Sequence, residues 1–255
     1  MTGDLLSVDG LEIRFGGLVA LNAVSFSARE GAITSVIGPN GAGKTTLFNC
    51  ITGMYQPHAG KVTFDRIDIT AARPHRVARA GIARTFQNLA LFPGLSVIDN
   101  LKVGGYRHGR SGLLEASIFW PRARREEADV EAMAWEFLEF LDLTDVADAP
   151  PSELPYGRQK QVEFGRALMQ GARMILLDEP MAGMSRPEKD RMTDLLRQAR
   201  SRYGVSFLLV EHDMPVVMDV SDHIVVLDYG RKIAEGCPDA IQNNSAVIDA
   251  YLGTD

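Results

Sequence analysis

The chain has 255 residues, 45% hydrophobic and 24% charged, a balance that supports one large core or a core with a subdomain and excludes a disordered chain. Its formal net charge is -6, with no basic tail or arginine-rich stripe, which argues against nucleic acid as a partner. Cys50 and Cys237 stand far apart without CxxC spacing, so neither a disulfide framework nor a thiolate zinc site is expected and the chain reads as cytosolic. Asp4 occupies the place where a signal peptide would be cationic, and no run of about eighteen apolar residues occurs. Any service to a membrane must pass through partners.

In chain order, "LLSVDGLEIRF" and "AVSFSA" alternate apolar and polar residues between turn signals, which predicts antiparallel strands. "AITSVIG" is a continuous apolar run, as in a buried central strand, and a helix is expected from Lys44 to about Thr52. Between Gly81 and Gly171 the pattern turns helical: Val130, Met133, Ala134, Phe137, Leu138 and Leu141 share one face. "RMILLDEP" and "VSFLLVEHD" are two further buried strands, separated by a helix with Met192, Leu195, Leu196 and Ala199 on one side. Strands alternating with helices predict an α/β fold with a mostly parallel sheet, interrupted by a helical insertion.

The chemistry begins with "GPNGAGKTT". Gly38, Pro39, Asn40, Gly41, Ala42, Gly43, Lys44 and Thr45 fit G-x-x-x-x-G-K-[ST] between a buried strand and a helix, and Thr46 follows. In that setting backbone N–H groups cradle phosphates, Lys44 reaches the β and γ groups, and Thr45 offers a hydroxyl to Mg²⁺. In "MILLDEP", Asp178 ends a buried strand where a carboxylate can bind that metal. Glu179 points elsewhere and can polarise an attacking water. His212 in "LLVEHDM" reads either as an ordinary histidine or, at the carboxyl end of a central strand, as a contact for a γ-phosphate. "SELPYGRQKQVEFGRALMQ" puts Arg158 and Lys160 in the first turn of a helix, the end where cations are disfavoured unless an anion is shared. The alternative is a turn in which Pro155 and Gly157 set the start of the helix and Arg158 pairs with a surface acid.

The succession "GPNGAGKTT", "TFQN", "LPYGRQ", "ILLDEP" and "VEHDM" resembles the nucleotide-binding subunit of ABC transporters over essentially the whole chain. The resemblance implies a P-loop NTPase core with an N-terminal antiparallel β part, covering 1–87 and 172–255, and a helical subdomain over 88–171 that carries the signature motif. It implies ATP and Mg²⁺ as cofactors. It also implies that Gln87 in "TFQN" links the metal and the attacking water to the helical subdomain, that Phe15 in "IRFGG" stacks on adenine, and that Tyr156, Gly157 and Arg158 meet the γ-phosphate of ATP held by a second subunit. Two positions depart from the family pattern: Pro155 replaces the signature serine and Tyr156 the glycine after it. Ser185, where many members have Asp, has a local reading with Glu188 as a capping box.

The motif "LPYGRQ" and the tail "DHIVVLDYGRKIAEGCPDAIQNNSAVIDAYLG" are most similar to the branch that imports branched-chain amino acids. That similarity implies a second ATPase subunit (self or paralogue), two integral-membrane permeases and, indirectly, an extracytoplasmic substrate-binding protein, with the chain peripheral on the cytoplasmic face of the inner membrane. Alternatives are the ATPase of another ABC system, such as lipid or lipopolysaccharide export, or a soluble ABC protein acting on ribosomes or DNA.

Overall fold

The computed structural model describes residues 3–85, 89–106 and 121–252. Gln87, expected to link the metal to the helical subdomain, lies outside them. Two long strands begin the chain, β1 (Asp4–Phe15) and β2 (Leu18–Arg29), followed by β3 (Ile33–Ile37), helix α1 (Lys44–Ile51), β4 (Ala59–Phe64), β5 (Ile67–Asp68), α2 (Pro74–Ala80) and β6 (Ile82–Arg84). Among the described residues the α-helices that come next are α3 (Val97–Gly105), α4 (Pro121–Leu141) and α5 (Tyr156–Met169). The chain then returns through β7 (Met174–Asp178), α6 (Arg186–Tyr203), β8 (Ser206–Val210), α7 (Met214–Val220), β9 (His223–Asp228), β10 (Arg231–Gly236), α8 (Pro238–Gln242) and α9 (Ser245–Leu252). It forms two compact units, one built from the chain up to Arg84 and from Arg173 onward, the other from Thr85–Ala172.

The first unit contains two sheets. The antiparallel one has the order β2-β1-β4-β5. Along β1 the buried residues are Leu5, Leu6, Val8, Leu11 and Ile13, and the break in the period of two after Val8 coincides with a register shift between Val8 and Leu11. Gly10 takes φ 57 there, a left-handed conformation that an extra residue in a bulge requires. The second sheet has the order β10-β9-β3-β8-β7-β6, parallel throughout except for the β9–β10 hairpin. Its central strands β3, β7 and β8 are buried at every position, which explains apolar runs without alternation.

Period-two geometry divides the side chains of this sheet between two cores. Val36, Val225 and Leu227 join Leu47, Phe48 and Ile51 of α1 and Leu6, Leu11 and Val24 of the antiparallel sheet. Ile37, Ile224 and Val226 face Val217 of α7, Ile241 of α8 and Val247 of α9. Because β3, β8 and β7 are adjacent and parallel, their carboxyl ends emerge along one edge, where open α/β sheets bind ligands.

In the second unit the face of α4 expected to be buried is buried at Val130, Ala134, Phe137, Leu138 and Leu141. Gly104 of α3 and Gly165 of α5 let helices approach closely: a Cβ at Gly104 would lie 2.2 Å from the Arg166 carbonyl oxygen, and one at Gly165 would lie 2.4 Å from Leu141 Cδ1. A larger residue at Gly104 would press on backbone and force the helices apart, whereas at Gly165 the tip of the Leu141 side chain would have to move. Ser96 caps α3 by accepting from the Asp99 N–H, and Asn100, fully buried, ties down the preceding loop through Phe92, Leu95 and Ser96.

Candidate functional site

The loop between β3 and α1 is held in one shape by backbone geometry. Gly38, Gly41 and Gly43 take φ 147, 81 and 102, all in the range that favours glycine. Gly38 and Gly43 also have no room for a side chain, since a Cβ would lie 2.0 Å from the Leu227 carbonyl oxygen at the first and 2.7 Å from the Ala20 carbonyl oxygen at the second. The Ala42 carbonyl accepts from the Gly230 N–H at 3.1 Å, so the β9–β10 turn braces the loop. Leu47, Phe48 and Ile51 fix α1 behind it, and burial of side chains of this size is worth about 1.5–3 kcal/mol each. The loop therefore presents its N–H groups and the start of α1 as a pre-formed anion cradle.

Lys44, only 6% exposed, donates from Nζ to the carbonyl oxygens of Gly38 and Pro39 at 2.7 and 2.9 Å. Burial lowers its pKa, and the carboxylates of Glu179 and Asp178 oppose that shift. The lysine thus stands in the field of both acids. Thr45 is exposed beside it, and Asp178 is buried at the end of β7. One hydroxyl and one carboxylate make a hard-oxygen pair suited to Mg²⁺, which keeps water and phosphate oxygens in its remaining positions.

Asp178 has a partner that the sequence pattern does not announce. Arg84, at the end of β6, donates to Asp178 Oδ2 at 2.8 Å and to Asn49 Oδ1 of α1 at 2.6 Å, and its guanidinium lies 5.6 Å from the centre of the Phe48 ring. The Asp178 carboxylate is thereby fixed to the helix that starts at Lys44. Glu179 sits at φ 50, a left-handed conformation costly for a residue with a Cβ, held by its own N–H bond to the Val210 carbonyl at 2.9 Å. From that position its Oε1 accepts from His212 Nε2 at 2.9 Å. The acid and the histidine named from separate motifs thus form one pair.

A second residue missed in the sequence is Glu211, 3% exposed, which accepts backbone N–H bonds from Met181 and His212. A buried glutamate beside a motif histidine looks like part of a polar loop in sequence, and no local signal marks it. A cleft of about 450 Å³ opens between Gly38, Pro39, Asn40, His212 and Tyr251. A larger cleft of about 980 Å³ lies at the opposite, amino end of β3, near Thr34 and Asp222. Two of its cations are already paired, Arg200 with Asp222 and Lys232 with Glu235. Phe15 ends β1, 45% exposed as a residue, with its ring edge-on to Tyr55 at 5.2 Å between ring centres.

In the second unit, α5 starts at Tyr156 with Pro155 as its cap and no side-chain hydrogen bond there. A proline supplies no hydroxyl, so the first N–H groups of the helix are left to other acceptors. Gly157 is buried and Tyr156 is 41% exposed. Arg158 donates to both carboxylate oxygens of Asp145, at 2.9 and 2.6 Å, and to the Asp142 carbonyl at 2.9 Å. Hydrogen bonding to Asp145 raises the Arg158 pKa, and the same bond lowers that of Asp145. Lys160 forms a buried ion pair with Glu163 at 3.3 Å. The cations at this helix start are thus matched by local acids, Arg158 by Asp145 and Lys160 by Glu163.

Comparison with known proteins decides the family. The model described as "ABC transporter" matches residues 21–182, and the one described as "Branched-chain amino acid ATP-binding cassette transporter" matches residues 231–255. The chain belongs to the ABC transporter ATP-binding family. This ABC ATPase is 43% identical over 253 residues to the high-affinity branched-chain amino acid transport ATP-binding protein BraF of Pseudomonas aeruginosa, with 99% of each chain covered. It is 40% identical to the corresponding LivG protein of Escherichia coli, again over 99% of each. Among solved structures, a nucleotide-free ATP-binding cassette from an ABC transporter superposes with a TM-score of 0.84 at 34% identity, covering 98% of this chain and 99% of that one. An ATP-binding cassette in its ADP conformation gives 0.85 at 34% identity, covering 99% and 100%. As an ABC ATPase the chain binds and hydrolyses ATP. Among the described residues no helix is long and apolar enough to cross a membrane.

Proposed function

We propose that this ABC ATPase powers the import of branched-chain, hydrophobic amino acids. The observation that carries the cargo is the match of residues 231–255 to the branched-chain amino acid family, and full-length relatives bearing that name add to it. These same matches favour import over lipid or lipopolysaccharide export and over action on ribosomes or DNA. The chain works on the cytoplasmic face of the inner membrane with a second ATPase subunit, itself or a paralogue, beneath two permeases that an extracytoplasmic binding protein supplies with cargo.

Each ATP lies between two subunits related head to tail. One subunit contributes Phe15 to the adenine ring, the Gly38–Thr46 loop with Lys44 to the phosphates, and Thr45, Asp178 and Gln87 to Mg²⁺. When bound there, Mg²⁺ neutralises charge between the phosphate oxygens. Glu179 accepts the proton of the water that attacks the γ-phosphorus, the β–γ bond breaks towards ADP, and His212 holds Glu179 through their 2.9 Å hydrogen bond while facing the γ-phosphate. The partner subunit contributes Tyr156 and the Gly157 end of α5. Arg158 positions that helix start through Asp145 rather than reaching the phosphate itself. Binding of ATP closes the pair, and hydrolysis lets it part.

The test is to capture Glu179→Gln protein with ATP from membranes of its source and identify its companions by mass spectrometry. Two permeases, with a binding protein that retains leucine, isoleucine or valine, support the proposal; ribosomal or DNA-repair proteins refute it.

A further inference from the structure

We infer that Glu211 is a positioning residue for hydrolysis, locking the loop that carries Glu179 to the loop that carries His212. The inference rests on the roles assigned above to Glu179 and His212.

Glu211 follows the last residue of β8, directly before His212, and the neighbouring strand β7 ends one residue before Glu179. Its Oε1 accepts the Met181 N–H at 2.8 Å, and its Oε2 accepts the His212 N–H at 3.1 Å. Together with the contact of His212 Nε2 to Glu179 Oε1 at 2.9 Å, these bonds close a ring. The ring runs from the Glu179 side chain to the His212 ring, from the His212 backbone to Glu211, and from Glu211 to Met181, two residues beyond Glu179. The Glu179 N–H bond to the Val210 carbonyl, also 2.9 Å, braces the ring from the strand side.

The residue type matters. Glu211 is 3% exposed, and burial pushes its carboxyl above the ordinary glutamate range, with the N–H groups of Met181, His212 and Asp213 opposing the rise and the Glu179 carboxylate adding to it. A carboxylate buried without need is expensive. What it supplies is two acceptor oxygens directed at N–H groups from two separate loops. Glutamine has one such oxygen and would turn its amide N–H₂ towards one of those donors. An apolar residue would leave both donors unmatched. Glu211 follows β8 rather than belonging to the loop between β3 and α1, and its two oxygens are engaged by the Met181 and His212 N–H groups, so it is not part of the phosphate cradle. Its loss should therefore misalign Glu179 and His212 while nucleotide binding persists.

The experiment measures steady-state phosphate release against ATP concentration for the full-length wild type, Glu211→Gln and Glu179→Gln, with thermal unfolding of each. For Glu211→Gln the expected result is kcat lower by about tenfold or more, with KM for ATP within about twofold and cooperative unfolding retained. A structural role alone would lower the unfolding midpoint and leave kcat of the folded protein unchanged, and that outcome overturns the inference. If Glu211→Gln does not fold, Glu211→Asp takes its place: it keeps both oxygens on a stem one methylene shorter, and kcat lower by about tenfold at unchanged KM is again expected. Wild-type kcat in Glu211→Asp would then overturn the inference. The control separates the two claims. Undiminished hydrolysis by Glu179→Gln defeats the assignment of the catalytic base, whereas a slow Glu179→Gln beside a normal Glu211→Gln defeats only the role of Glu211.

Discussion

The Arg84–Asp178 pair shows how a single side chain can join the sheet to the helix behind the glycine-rich loop. Both members are nearly excluded from solvent, with side-chain exposures of 9% and 3%. Removing the cation strands a buried carboxylate, so Arg84→Met is expected to lower stability by about 3 kcal/mol, read as a lower midpoint in urea at unchanged slope. A midpoint equal to wild type would mean that the Arg84 pair does not stabilise the fold. Lys44, Asp178, Glu179 and His212 were all legible in the sequence, because each belongs to a short motif whose chemistry is local. Arg84 and Glu211 were not, because their partners lie on other strands: Asp178 is 94 residues from Arg84 in the chain, and Met181 is 30 from Glu211. The proximity of Arg158 to a helix start did suggest an anion, but the acid that meets it sits 13 residues upstream, in the segment before α5.

At the scale of elements, periodicity performed well where a single face or a full burial defines the segment. The buried side of α6, Met192, Leu195, Leu196 and Ala199, follows the predicted stripe. Its start is fixed as the sequence suggests, with the Ser185 N–H and hydroxyl both donating to Glu188 Oε2, at 2.7 and 2.6 Å. Strands β5 and β6, of two and three residues, are too short to carry a period, and exposed positions in β10 dilute its pattern, so their pairing had to come from the structure. Close helix packing is equally invisible in a one-dimensional pattern. Nothing in the sequence around Gly104 marks a close contact, yet it faces the Arg166 carbonyl between two helices. Gly104→Ala is expected to destabilise the protein by about 1–3 kcal/mol through overpacking, although alanine is the better helix former. Increased stability in a denaturant titration would show that the helices separate without cost.

For the whole molecule, the geometry divides labour between two places. The edge formed by β3, β8 and β7 carries the glycine-rich loop, Asp178 and the Glu179–His212 pair, whereas at the start of α5 the cations are locally neutralised by Asp145 and Glu163. Under the proposed head-to-tail arrangement the second place serves the ATP of the partner. Gly157→Asp sets a negative charge against that phosphate, so it should abolish the ATP-dependent dimer seen by light scattering while ATP binding to the monomer persists. A normal dimer would contradict the composite site.

The central claim, that hydrolysis here drives uptake of branched-chain amino acids, is tested most directly by transport. Cells lacking this chain, supplied with the wild type or with Glu179→Gln, are given labelled leucine, isoleucine and valine. Uptake of all three is expected to fall without the chain, to return with the wild type and to stay low with Glu179→Gln. Uptake that is unchanged by loss of the chain, or fully restored by Glu179→Gln, would contradict it.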